Sequence, residues 1–213
     1  MRSIDLGSAT LDLIDTGGDG RPVVLLHGLL MDASLWAQLV TELAADHRCI
    51  APVLPLGAHT RPTPDADLSM TGIARLVADL LDRLDLRDVV LVGNDTGGAL
   101  VQLVAVERAE RVAAIVLVSC DAFDNFPPGL TGKTLVLTGK LAPRLFGVFM
   151  QQMRLKPVRR LPIAFGWLTR RGDGVVKGWI RPILTSQAIR RDMVRVLRGI
   201  RADRGLLVGV ADR

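Results

Sequence analysis

Apolar positions in the first 120 residues fall into short solid runs separated by stretches of helical spacing. Pro22-Val23-Val24-Leu25-Leu26 is apolar without alternation and ends at His27-Gly28. A run apolar on both faces predicts an internal strand of a parallel sheet. Ser34 to Ala44 carries Leu35, Trp36, Leu39 and Leu43 at helical spacing, and Cys49 to Leu54 predicts the next strand. From Leu68 to Leu86 a stripe of Ile73, Leu76, Val77, Leu80, Leu81 and Leu84 lies behind a cap at Ser69. Val89 to Val92 then predicts a strand, Gly97 to Arg108 a helix and Val112 to Ser119 a further strand. Ahead of them, short alternating stretches between Ile4 and Asp15 around Gly7 predict a leading hairpin. Alternation of this kind predicts an α/β fold, a mostly parallel sheet with flanking helices, whose parallel strands end at His27, Leu54, Asn94 and Ser119.

The rhythm stops at Asp121. Asn125-Phe126-Pro127-Pro128-Gly129 is turn-rich, and the remainder reads as helices separated by Pro157, Pro162, Gly172 and Pro182. Ile189, Met193, Val196, Leu197 and Ile200 share one face of the last of these, among five arginines. The expected organisation is a core over 1–125, a helical basic cap over 126–205 and a start of the return to the core over 206–213.

Charge supports that division. Residues 1–132 hold 9 Lys/Arg against 18 Asp/Glu, whereas residues 133–213 hold 18 against 4, so the net charge of +5 conceals two parts of opposite sign. A basic section can meet nucleic acid or an acidic membrane surface. No nucleic-acid motif accompanies it and aromatic residues are few, so a solvated face is the simpler reading and no nucleic-acid partner is expected. The N-terminus lacks the apolar segment of a secretory signal, and the longest apolar stretch, Val112 to Cys120, is too short to cross a bilayer. Cys49 and Cys120 lie in or beside apolar runs, where buried thiols are expected rather than a disulfide, and a cytoplasmic setting follows. No metal and no cofactor are expected.

The most informative segment is Val92-Gly93-Asn94-Asp95-Thr96-Gly97-Gly98, placed between a strand and a helix. Glycines permit a backbone turn tight enough to thrust Asp95 out above the sheet. The same residue lies at a helix N-terminus, whose partial positive charge favours an ionised carboxylate.

Together, His27-Gly28 after its strand and Gly93-Asn94-Asp95-Thr96-Gly97-Gly98 resemble the α/β-hydrolase superfamily. An aspartate at the elbow resembles its haloalkane dehalogenase and epoxide hydrolase branch rather than the serine esterases. The resemblance implies an α/β-hydrolase core of strands one to six plus a helical cap, with a small-molecule substrate. It also implies that Asp95 attacks an electrophilic carbon to form an ester, which a histidine-activated water then hydrolyses. Leu29 and Thr96 match the positions whose backbone N–H groups form the oxyanion hole.

Departures from the pattern are as informative as the matches. The family's histidine follows the last strand, yet His27, His47 and His59 all precede Asp95. His27 reads as structural, His47 as a surface residue, and His59 as an outside candidate near the sheet's active end. For the acid member, Asp121 and Asp124 follow the sixth strand, while Gly209-Val210-Ala211-Asp212 faintly resembles a strand end that carries the acid in relatives. The last strands of the superfamily fold are therefore expected to be missing, and the chain to be C-terminally truncated. That leaves the sixth strand near an exposed edge, open to self-association. The chain has no tyrosine to hold an epoxide oxygen, and Thr96 stands where dehalogenases commonly have a halide-holding tryptophan. Trp167 and Trp179 in the cap either contact a leaving group or simply pack. Two classes of function remain: a hydrolase whose full turnover is impaired, and a non-catalytic module that binds a ligand or an acidic partner.

Overall fold

The computed structural model describes residues 1–120, 129–166, 169 and 172–202. Six strands form one sheet: β1 (Arg2–Asp5), β2 (Thr10–Asp15), β3 (Arg21–Leu26), β4 (His47–Pro52), β5 (Val89–Asp95) and β6 (Val112–Cys120). Their spatial order is β1-β2-β4-β3-β5-β6. The hairpin β1–β2 is antiparallel and joins β4 antiparallel, whereas β3, β4, β5 and β6 run parallel. The expected α/β architecture is present.

The helices of the core follow the predicted stripes. Helix α1 (Ala37–Leu43) is preceded by a tight 3-10 turn at Ala33–Trp36, because the Asp32 carboxylate accepts the Ser34 N–H at 2.8 Å and tightens the entry. In α2 (Met70–Arg83) the Ser69 hydroxyl accepts the Gly72 N–H at 3.0 Å, which satisfies one of the donors left over at a helix start. Ile73, Leu76, Val77, Leu80 and Leu81 of its stripe are buried. Each such side chain contributes roughly 1.5–3 kcal/mol over the exposed state. Helix α3 (Thr96–Glu107) leaves directly from β5 and lies against β5 and β6.

Strand β4 begins two residues earlier than its apolar run, at His47. Pairing rather than composition decides this, since His47 and Arg48 sit in register with Arg21 and Pro22 of β3. Neither Cys49 nor Cys120 is in a disulfide.

Beyond β6 come α4 (Gly129–Thr138), α5 (Pro143–Met150), α6 (Lys156–Arg159), α7 (Asp173–Thr185) and α8 (Gln187–Ala202). The predicted face of α8 is buried, with Ile189, Met193, Val196, Leu197 and Ile200 all inside, and α4, α5 and α7 pack against this helix. Gly199 of α8 lies on the Leu68–Ser69 backbone, a close approach that a side chain would prevent. The junctions of the expected core, cap and return segment fall largely outside the described residues. Among the described residues no helix is long and apolar enough to cross a membrane.

Candidate active site

At the C-terminal end of β5 the chain turns into α3 through Asp95, whose φ of 54° and ψ of −129° lie where side chains other than glycine are rare. Strain of this kind persists only where surrounding packing holds it. That packing is tight on every side. A Cβ on Gly97 would overlap the Leu26 carbonyl at the end of β3, and one on Gly28 would overlap the Asp95 carboxylate itself. Gly93 faces the Gly97–Gly98 backbone, and Gly98 faces Cys120 at the end of β6. The Asn94 side chain ties β5 to β6 by donating to the Val118 carbonyl at 2.9 Å.

The carboxylate of Asp95 meets backbone donors from two elements. Leu29 donates its N–H to Oδ2 at 3.1 Å. Burial pushes the Asp95 carboxyl above its ordinary value, while the N–H groups of Thr96 and Leu29 act in the opposite direction by favouring the anion. Asp95, Leu29, Thr96 and the glycines at 28, 93, 97 and 98 are therefore gathered at one sheet end, as the motif spacing predicts.

His27 sits next to this cluster but does no acid–base work in it. Its Nε2 accepts the Leu54 N–H at 2.9 Å, which leaves Nδ1 carrying the proton and donating to the Gly28 carbonyl at 2.9 Å. Complete burial lowers its pKa to about 4, against the Gly28 hydrogen bond that favours the proton. A neutral imidazole satisfied at both nitrogens clamps the end of β3 to the chain leaving β4. His47, half-buried at the start of β4, lies at the opposite strand end from Asp95.

His59 is likewise engaged. Its Nδ1 accepts the Gly57 N–H at 3.2 Å, and Nε2 lies 3.3 Å from Oδ2 of Asp192 on α8. The same oxygen accepts the Thr63 N–H at 2.8 Å. Burial acts to raise the pKa of Asp192, but the bonds from His59 and Thr63, with Arg195 nearby, outweigh it and hold the carboxyl below its ordinary value. Arg195 also donates to the carbonyls of Thr63, at 3.0 Å, and Ala66. His59, the outside candidate for a base, is thus part of a latch between the loop after β4 and α8. The signal for this latch was present in the sequence, since Asp192 is the sole acidic residue in an arginine-rich helix.

Trp179 on α7 is a second tether. Its indole N–H donates to the Ser34 hydroxyl at 2.8 Å and to Oδ1 of Asp32 at 3.1 Å. Of the two alternatives for this tryptophan, packing is the one observed, because the only donor it could offer a leaving group is already used. Asp121, Asp124, Trp167 and Asp212 lie outside the described residues. No group of three or more His, Cys, Asp or Glu side chains is arranged to hold a metal among the described residues.

Comparison with known proteins agrees with this geometry. The family model described as alpha/beta hydrolase fold matches residues 21–159. A haloalkane dehalogenase of Mesorhizobium japonicum is 34% identical over 112 residues, 53% of this chain and 36% of that protein. The chain therefore spans well under half the length of the curated relatives it matches. The solved structure of the epoxide hydrolase CorEH without ligand superposes with a TM-score of 0.78 at 20% identity, covering 98% of this chain and 76% of the other. A thermophilic esterase from Thermogutta terrifontis, malate bound, superposes with a TM-score of 0.72 at 23% identity, covering 96% and 73%. Neighbours so differently named at such identities share the fold and leave the chemistry to the site.

Proposed function

The chain belongs to the α/β-hydrolase-fold family and is related to haloalkane dehalogenases, and from that premise we propose a hydrolase of small organic substrates with Asp95 as its nucleophile. The observation that carries the proposal is the Leu29 N–H bound to Oδ2 of Asp95. Where a serine attacks, oxyanion donors serve an oxygen of the substrate; here they serve the nucleophile's own carboxylate. With Oδ2 held, Oδ1 attacks the substrate carbon as the bond to the leaving group breaks and its electron pair departs with that group. Water then adds to Cγ of the ester as it gives up a proton, and the resulting oxyanion resides on Oδ2 between the Leu29 and Thr96 N–H groups. Collapse breaks the bond from Cγ to Oδ1, so that the departing alkoxide takes up that proton and leaves as the alcohol. In this reading the core is 1–125, the cap is 126–205, and Asp121 is a candidate acid.

The first step needs no base, because an ionised carboxylate attacks as it stands. The second needs a water made nucleophilic, and loss of such a base typically costs on the order of a hundred- to ten-thousand-fold. Of the three histidines, His27 and His59 are committed to structural bonds and His47 lies at the wrong end of the sheet. The 213-residue chain should therefore accumulate an ester on Asp95 with little turnover.

Intact mass before and after incubation with alkyl halides, epoxides and activated esters tests this. A stable adduct on Asp95, absent in Asp95→Asn and forming faster as rising pH ionises the carboxyl, is the expected result. Rapid turnover without an adduct would overturn the mechanism. A folded chain that binds members of the panel without reacting would favour the second class, a ligand-binding module.

A further inference from the structure

The cap presents an apolar surface that neither the proposed chemistry nor the core explains. Helix α5 is apolar on both sides. Phe146 and Met150 are buried toward α7 and α8, and Gly147 lies against the Arg190 side chain. Leu145, Val148 and Phe149, spaced i, i+3 and i+4, point the other way and are 59%, 70% and 38% exposed. A single exposed leucine needs no explanation, but an apolar stripe along a helix marks a contact surface.

The charge around this stripe identifies what it contacts. Residues 125–172 contain nine Lys/Arg and no Asp or Glu. Lys140 just before α5, Arg144 within it, and Arg154 and Lys156 just after it are all exposed. Exposed apolar side chains flanked by cations along a helix are what an interfacial helix requires, with its apolar face among acyl chains and its cations at the headgroups. A second copy of the chain fits poorly, because two-fold pairing of this face would bring like cations together with no carboxylate between them.

We propose that the α5 face of the cap docks on an anionic lipid bilayer. Leu145, Val148 and Phe149 enter the headgroup–acyl boundary, and Lys140, Arg144, Arg154 and Lys156 lie over acidic headgroups. The proposal is independent of the chemistry at Asp95. Flotation of the full chain with phosphatidylcholine vesicles, alone or with about one-third phosphatidylserine, separates bound protein from any sedimenting aggregate. Binding to the anionic vesicles only, weakened by high salt, is expected. The double variant Lys140→Glu/Arg144→Glu should weaken it by at least about tenfold, each cation near such a surface contributing roughly a factor of five. Leu145→Ser/Val148→Ser/Phe149→Ser should abolish it with an unchanged circular dichroism spectrum; if that variant misfolds, the charge reversal alone decides. Equal binding to neutral vesicles, no binding of the folded wild-type chain, or a wild-type dimer that the triple variant dissolves would each overturn the proposal.

Discussion

Strands β5 and β6 lie side by side, pair in parallel and each carry a solid apolar run, yet they occupy different environments. In β5, Val89 and Leu91 are fully buried, β3 lies on one edge and β6 on the other. In β6, Ile115, Val116, Leu117 and Val118 are each between 41% and 44% exposed, and the far edge has no partner strand among the described residues. Successive side chains of a strand point to opposite faces, so exposure at four consecutive positions means that both faces of β6 are incompletely covered. An apolar run therefore announces a strand that is meant to be covered on both faces, and says nothing about whether the cover is there. Such an edge is where the self-association expected from the sequence would occur.

The largest test of this contrast is to cut the same side chain in each strand. Leu91→Ala should cost about 2–5 kcal/mol, because a buried cavity is left behind. Leu117→Ala should cost less than about 1 kcal/mol. Urea unfolding of the two variants measures the difference, and light scattering of Leu117→Lys should show less self-association than wild type. Equal costs would mean that β6 is covered in solution.

A second test uses the clamp at the end of β3. In the fold His27 stays neutral down to about pH 4, whereas in the unfolded chain it takes a proton below its ordinary 6.5. Between these values the unfolded state binds more protons, so the stability contributed by a neutral buried ring is complete above 6.5 and declines as pH falls toward 4. The loss should be about 3 kcal/mol over that window. His27→Gln should flatten this part of the stability profile and lower its neutral plateau, since the link to Leu54 is weakened. A profile unchanged by the substitution would show that His27 is not the group that titrates.

The smallest effect is expected at the turn leaving β5. Burial raises the pKa of Asp95, so folding imposes a cost on its anion that increases with pH above the ordinary carboxylate range. Asp95→Asn removes that charge while keeping the shape, and should raise stability by about 1 kcal/mol while abolishing the adduct. A less stable Asn variant would show that the N–H groups of Leu29 and Thr96 hold the anion better than burial opposes it.

Much of this protein is determined by sequence alone. Solid apolar runs specify strands, and helical stripes such as that of α2 specify which face is buried. Gly93 to Gly98 specifies a strained turn, because only residues without side chains allow β3, β5, β6 and α3 to approach so closely. These are local properties, set by neighbours within a few positions. What only the tertiary structure decided is which distant groups meet. Asp192 with His59 and Thr63, Trp179 with Asp32 and Ser34, and the Leu29 N–H with Asp95 are joined across 66 to 147 positions. No periodicity encodes such pairs, since they arise when packed elements bring polar groups together and burial then requires each to find a partner. The exposure of β6 was likewise decided by its place in the sheet: a strand's own residues specify the cover it needs, and only the assembled chain provides it.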